Sequence, residues 1–187
     1  MKFANLSLII IDEEQRFGVK QKEKLKSFKA DINILTLTAT PIPRTLQLGM
    51  SGVRELSIIA TAPMERLATR TFVISYDKHT IREAIMREYF RGGRVYFVCP
   101  RISDLEEIEP KLKALVPEVR VVKAHGQMNP QELDQIMQDF YEGKYDMLLA
   151  TTIIESGLDV AEANTIIIHN ADKYGLAALY QLRGRVG

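Results

Sequence analysis

Two carboxylates close an unbroken apolar run in Leu8-Ile9-Ile10-Ile11-Asp12-Glu13, and Glu14 and Gln15 follow. A buried strand ending in acids delivers them to the carboxyl edge of a parallel sheet, where α/β proteins bind ligands. In nucleotide hydrolysis the first such acid, Asp12, suits a Mg²⁺ ion that bridges phosphates. The second, Glu13, suits orienting or deprotonating the attacking water. A plainer role fits the same residues: an acidic helix start whose carboxylates complement the helix dipole. A second cluster, Thr38-Ala39-Thr40-Pro41-Ile42-Pro43-Arg44, ends another apolar run. Its small hydroxyl residues and two prolines make a stiff turn that presents hydrogen bonds without bulk, and equally a helix N-cap. The third, from Thr151 and Thr152 through Glu155, Gly157 and Asp159, contains a glycine that lets a backbone approach closely. The fourth, Gln181-Leu182-Arg183-Gly184-Arg185-Val186-Gly187, sets guanidinium forks beside glycines. That pairing suits phosphate oxygens, although an Arg-Gly-Arg triplet alone also fits a solvated basic tail.

The elements that must hold these residues show in the hydrophobic pattern. Strand-length apolar runs occur at Leu6–Ile11, Ile34–Leu37, Leu56–Ala60, Arg70–Ser75, Val95–Cys99, Val119–Val122, Met147–Thr151 and Thr165–His169. Most are rich in Ile and Val and apolar on consecutive residues, as strands buried on both faces are. Helix starts are readable between several of them. Thr80 with Glu83, and Ser103 with Glu106, match capping boxes, and Asn129-Pro130 pairs an N-cap with a first-turn proline. These starts predict helices over Ile81–Phe90, Leu105–Leu115 and Gln131–Tyr141. Alternation of buried strands with helices predicts an α/β fold with a parallel sheet and right-handed crossovers.

The chain of 187 residues carries 25 Lys+Arg against 24 Asp+Glu and is 46% hydrophobic, an ordinary globular mix. No apolar run approaches the roughly 18–20 residues that span a bilayer, so no membrane role is expected. A net charge of +1 argues against coating nucleic acid by bulk charge but not against a local basic groove. The single cysteine, Cys99, reads as a small core residue near a strand end. A boundary falls near Thr61-Ala62-Pro63: residues 1–62 hold nine Lys+Arg and six Asp+Glu, and 63–187 hold 16 and 18.

Order and spacing then narrow the chemistry. Asp12-Glu13-x-Gln15, Thr38-Ala39-Thr40, Gly157-x-Asp159 and Gln181-x-x-Gly184-Arg185-x-Gly187 resemble motifs II, III, V and VI of superfamily 2 helicases. The stretches 12–19, 37–46 and 180–187 are similar to the bacterial transcription-repair coupling factor family. So are Gly92-Gly93-x-Val95-Tyr96-Phe97 and Ala124-His125-Gly126-Gln127-Met128. The branched-DNA helicase RecG shares nearly the same motifs, but its second motif typically reads Asp-Glu-Gln-His where this chain has Asp12-Glu13-Glu14-Gln15.

The resemblance implies RecA-like parallel sheets with flanking helices: residues 1–62 as the C-terminal part of a first helicase lobe, and 63–187 as a nearly complete second lobe. It implies an ATP-driven motor on double-stranded DNA that displaces stalled RNA polymerase and recruits excision-repair proteins through other domains, in the bacterial cytoplasm. Asp12 and Glu13 become the Mg²⁺-binding and water-activating acids, and Gln15 the γ-phosphate sensor. Thr38 and Thr40 couple the ATP and DNA sites. Thr152, Glu155, Gly157 and Asp159 belong to the segment that touches DNA and reads the nucleotide state. Gln181 and Arg185 reach ATP from the second lobe. His125 and Gly126 become DNA-backbone contacts, with a turn at a strand end as the alternative for His125. The lysines at 20, 22, 24, 26 and 29 fit a phosphate grip or a solvated helix face.

A phosphate-binding loop, Gly-x₄-Gly-Lys-Ser/Thr, does not occur in the chain. Gly143-Lys144 is the only Gly-Lys pair, and Tyr145 follows it. This predicts a fragment of the motor that hydrolyses little or no ATP alone, with ATP and Mg²⁺ as cofactors of the complete protein. Open sheet edges in its N-terminal third favour self-association. The competing expectations are a fragment of the branched-DNA helicase and a non-catalytic module that docks DNA or protein.

Overall fold

A computed structural model describes residues 5–12, 32–38, 55, 57–59, 69–152 and 163–186. The chain forms two compact units, Met1–Ala60 and Thr61–Gly187.

In the first unit, β1 (Leu8–Asp12) pairs in parallel with β2 (Asn33–Leu37), close to the strands expected at Leu6–Ile11 and Ile34–Leu37. Ile11 is buried, whereas Leu8, Ile10, Leu35 and Leu37 are exposed. The register sets Ile10 opposite Leu35 and Asp12 opposite Leu37. Side chains alternate along a strand, so these four leucine and isoleucine residues share one face of the ribbon.

The second unit runs α1 (Lys78–Phe90), β3 (Arg94–Val98), α2 (Ile102–Leu115), β4 (Val121–Ala124), α3 (Pro130–Tyr141) and β5 (Met147–Ala150). It continues with β6 (Ala163–Ile168), a 3₁₀ turn at Ala171–Lys173 and α4 (Leu176–Arg183). The four strands pair in parallel in the order β4-β5-β3-β6. This is the α/β parallel sheet with flanking helices that the apolar alternation predicts. The core divides by strand parity. Val95, Phe97, Cys99, Met147 and Leu149 pack with Ile81, Ile85, Leu105, Ile108 and Leu112 of α1 and α2. Tyr96, Val98, Leu148 and Ala150 pack with Met137, Phe140 and Leu182 of α3 and α4. Each leucine, isoleucine or methionine of this core is worth about 2–5 kcal/mol on truncation to alanine.

Helix ends differ instructively from expectation. The cap of α1 is Asp77, not Thr80: its carboxylate accepts from the Thr80 backbone N–H at 2.8 Å and the Thr80 hydroxyl at 2.6 Å. The Thr80 hydroxyl, then its N–H, holds the Asp77 carboxyl below its usual range. An aspartate three residues earlier outcompetes the threonine because it offers a charged acceptor to the same donors. Helix α2 begins at Ile102 with Arg101 at its cap and no side-chain cap bond, so Ser103 lies inside the first turn. At α3 the expectation holds, with Asn129 Oδ1 accepting from Gln131 N–H at 3.0 Å and Pro130 opening the helix.

Two expected strands do not appear. Residues 57–59 form no regular element, and Leu56 and Ala60 lie outside the described residues. Arg70–Ser75 is extended but carries no ladder, and Phe72 and Val73 stand in solvent, Val73 at 94% exposure. Its apolar residues fit a strand, but a strand also needs a hydrogen-bonding neighbour. The segment is held near its ends, where the Thr69 hydroxyl donates to the Val186 carbonyl at 3.1 Å and Tyr76 meets His169 edge-on.

The amino ends of β4 and β5 are tied by Arg120. Its Nε and backbone N–H donate to Asp146 Oδ2, and a terminal nitrogen donates to Asp146 Oδ1 at 2.7 Å and to the Gly143 carbonyl at 2.9 Å. Gly143 turns the chain out of α3 at φ +77°, and an added Cβ there would lie 2.9 Å from the Arg94 guanidinium. Gly92 has a similar φ of +71° with open space around it. Placing a non-glycine residue in the left-handed region costs roughly 1–3 kcal/mol. Gly92→Ala is expected to lose a stability of that order in urea unfolding, and Gly143→Ala more, because Arg94 must also leave its place over Phe140. Equal losses for the two variants would show that the Arg94 contact contributes nothing.

Candidate functional site

In the first unit the pairing of β1 with β2 decides the geometry. Asp12 is the last residue of β1 and faces Leu37, so Thr38 is the next residue beyond its partner. An exposed carboxylate and a hydroxyl-bearing residue thus stand at the carboxyl ends of adjacent parallel strands. Carboxylate and hydroxyl oxygens are hard ligands of the type Mg²⁺ takes, and they accept hydrogen bonds from its coordinated water. Glu13, Gln15 and Thr40 lie outside the described residues.

In the second unit the carboxyl ends of β4 and β5 bring His125, Gly126 and Thr152 onto neighbouring loops. The Thr151 N–H donates to the Ala124 carbonyl at 3.4 Å, and the Met128 N–H donates to the His125 carbonyl at 3.1 Å. The second bond makes His125 part of a turn, as its plainer reading had it. Its Nδ1 is nevertheless buried with no hydrogen-bond partner among the described residues, and Gly126 is exposed beside it. Glu155, Gly157 and Asp159 lie outside the described residues.

Helix α4 and the turn that follows it carry the remaining candidates, Gln181 within the helix and Arg185 just past its C-cap Gly184. The sequence pattern had not marked a helix at Leu176–Arg183, because Gly175 offers no side-chain cap and the run is apolar almost throughout. Leu182 and Val186 are buried in the core beside Phe140, and Gln181 and Arg185 are half-buried next to them. The two arginines of the triplet part company. Arg183 is exposed and lies 4.8 Å from the Tyr180 ring centroid, whereas Arg185 has its Nε buried. Of the pair, Arg185 is the more buried, and Arg183 rides on a surface aromatic ring.

A further group at the carboxyl ends of β3 and β6 carries no motif. His169 follows β6, meeting the Tyr76 ring at 5.6 Å and 79° and the Phe97 ring at 6.2 Å and 34°. Asp104, in the first turn of α2, has Oδ2 buried without a hydrogen-bond partner among the described residues. Cys99 is fully buried, and burial followed by the Asp104 charge pushes its thiol up to about 12. A thiol held protonated in this way is inert as a nucleophile. The sequence signal for the group was slight: a histidine directly after three isoleucines.

Burial lowers the pKa of His169 from 6.5, against the opposing pull of Asp104. The folded state therefore favours the neutral ring. Its contribution is complete above the unfolded value and is lost as pH falls through that value toward the lowered one. The urea midpoint is expected to drop more from about pH 7.5 to about pH 5.5 in the native chain than in His169→Phe, which keeps the ring stack without the titration. An unchanged slope in His169→Phe would remove His169 as a source of acid sensitivity.

The family model described as the helicase conserved C-terminal domain matches residues 77–187. The transcription-repair-coupling factor of Rickettsia prowazekii (strain Madrid E) is 60% identical over 186 residues, covering 100% of this chain and 17% of that protein. Its counterpart in Escherichia coli (strain K12) is 54% identical over 187 residues, covering 100% of this chain and 16% of that protein. The chain thus spans about a sixth of the length of the curated relatives it matches. The solved structure of RecG bound to a three-way DNA junction is 36% identical with a TM-score of 0.72, covering 100% of this chain and 25% of that one. The chain belongs to the helicase conserved C-terminal domain family, and it is similar along its whole length to bacterial transcription-repair-coupling factors.

Proposed function

We propose that this chain is part of the motor of an ATP-dependent double-stranded DNA translocase that couples transcription to repair in the bacterial cytoplasm. Residues 1–62 supply the back of the first lobe and 63–187 the second lobe. RNA polymerase and excision-repair proteins are engaged by parts of the longer protein outside this chain. The observation that carries this reading is the identity with coupling factors over the full chain, 60% against 36% for the branched-DNA helicase. The geometry supports it: Asp12 ends β1 and Thr38 directly follows the adjacent parallel β2 in one unit, and Arg185 sits half-buried just beyond the C-terminus of α4 in the other.

Each residue then has a defined task. Asp12 would hold Mg²⁺, Glu13 would place the attacking water and Gln15 would sense the γ-phosphate. Bound Mg-ATP supplies the phosphoryl group and the charge that these residues manage. Arg185 and Gln181 approach the phosphates from the second lobe. A guanidinium that reaches them only on lobe closure ties hydrolysis to motion, because it neutralises charge that develops in the transition state. His125, Gly126, Thr152, Glu155, Gly157 and Asp159 form the DNA-facing and nucleotide-sensing loops, and Thr38 with Thr40 links the two functions. The chain alone lacks a phosphate-binding loop and is expected to turn over no ATP.

The test uses a coupling-factor-length protein that carries this chain. Arg185→Ala is expected to lower the kcat of DNA-stimulated ATP hydrolysis by about 10³-fold or more with little change in KM, as loss of a transition-state arginine does. Arg183→Ala, which removes the surface arginine, is expected to stay within about threefold of the parent. Equal effects of the two substitutions, or full activity without Arg185, would overturn the assignment.

A further inference from the structure

Glu88 is the one charged side chain among the described residues that is buried, at 1% exposure. It lies in the last turn of α1, and its Oε2 accepts from the Thr165 hydroxyl at 2.6 Å and from the exposed Arg91 guanidinium. Its other oxygen, Oε1, is buried with no hydrogen-bond partner among the described residues. Burying a carboxylate is costly and adds little net stability even when it is paired, so its presence calls for another account.

Strand β6 provides one. It reads Ala163-Asn164-Thr165-Ile166-Ile167-Ile168 and forms an edge of the sheet as described. Side chains alternate between faces, and a hydrophobic pattern normally fixes register because a one-residue slip exchanges the faces. Here the slip would exchange isoleucine for isoleucine: Ile167 packs on the α1–α2 side, and Ile166 and Ile168 on the α3–α4 side. The pairing with β3 is already irregular at this point, since Arg94 faces Ala163 while Val95 faces Thr165, leaving Asn164 as an extra residue. The apolar residues of β6 therefore do not specify one register, and Thr165 is the polar residue among them that meets a fixed partner.

We propose that Glu88 is a positioning residue whose hydrogen bond to Thr165 keys the register of β6 against β3. A slipped strand would leave the Glu88 carboxylate buried without its hydroxyl donor, a cost that the native register avoids. The key also sets where His169 and the chain leading to α4 begin. Its bearing on Arg185 rests on the nucleotide reading above, whereas the register itself does not.

The test is solution NMR of the 187-residue chain, because cross-strand NOEs report register directly. In the native register Tyr96 faces Ile166 and Phe97 faces Ile167. Thr165→Val keeps the shape and removes the donor, and it is expected to show a second NOE set in which Phe97 faces Ile166 or Ile168. Thr165→Ser and Glu88→Gln, which keep a hydroxyl donor and a carbonyl acceptor respectively, are expected to show the native set alone. The native set alone in Thr165→Val, or slippage in all three variants alike, would overturn the proposal. Should Thr165→Val not fold, the Glu88→Gln/Thr165→Val double variant, which leaves no buried charge, decides the question by the same two NOE sets. Either result stands apart from the ATPase measurement, so the key and the nucleotide reading fail separately.

Discussion

Strands β3 and β5 are covered on both faces, and most of the second unit follows from that burial. Tyr96, Phe97, Val98, Leu148, Leu149 and Ala150 have no exposed surface. Parallel strands at the centre of a sheet can be joined only by crossovers, and those crossovers must supply the apolar faces that cover them. Helices α1 and α2 cover one side and α3 and α4 the other. Loops that leave the strands are thereby confined to the two sheet edges. His125 and His169 follow a strand directly and Thr152 lies two residues past one, so they collect at the carboxyl edge without any sequence proximity. The site candidates of this edge are a consequence of how the core is covered.

The amino edge shows the complementary arrangement. It holds Arg120 on Asp146, Arg94 against Gly143 and Phe140, and Glu88 on Thr165, all contacts that fix one element against another. The Arg120–Asp146 pair is largely exposed on the arginine side, so it contributes geometry more than energy. A net charge of +1 is compatible with a nucleic-acid role under this arrangement, because recognition would depend on a few loop residues and not on bulk charge.

Much of this was legible in the residues themselves. The runs Val95–Cys99 and Met147–Thr151, apolar on consecutive residues up to the closing Thr151, match strands buried on both faces, and the structure has strands there. Asn129-Pro130 carried both halves of a helix start. The Thr80 and Glu83 spacing matches a cap by itself, but the stronger acceptor Asp77 stands just upstream and takes the same donors. Arg70–Ser75 has the apolar content of a strand, which is visible in sequence, whereas the presence of a pairing neighbour is not. Of the site, Asp12 and Thr38 both stand out in the sequence, and their adjacency follows from parallel pairing. The separation of Arg183 from Arg185 could not be read, because it depends on a helix whose apolar residues gave no period. The Tyr76–His169–Phe97 stack was equally silent, being assembled from three distant segments.

Whether the doubly covered strands β3 and β5 organise the second unit can be read from native-state amide hydrogen exchange on the 187-residue chain. Coverage on both faces predicts that Val95–Val98 and Met147–Ala150 exchange most slowly and through a common opening. It predicts faster exchange for β6 and for the β1–β2 ribbon, whose one face carries exposed Leu8, Ile10, Leu35 and Leu37. Protection in β1 and β2 equal to or above that of β3 and β5, or independent opening of β3 and β5, would contradict it.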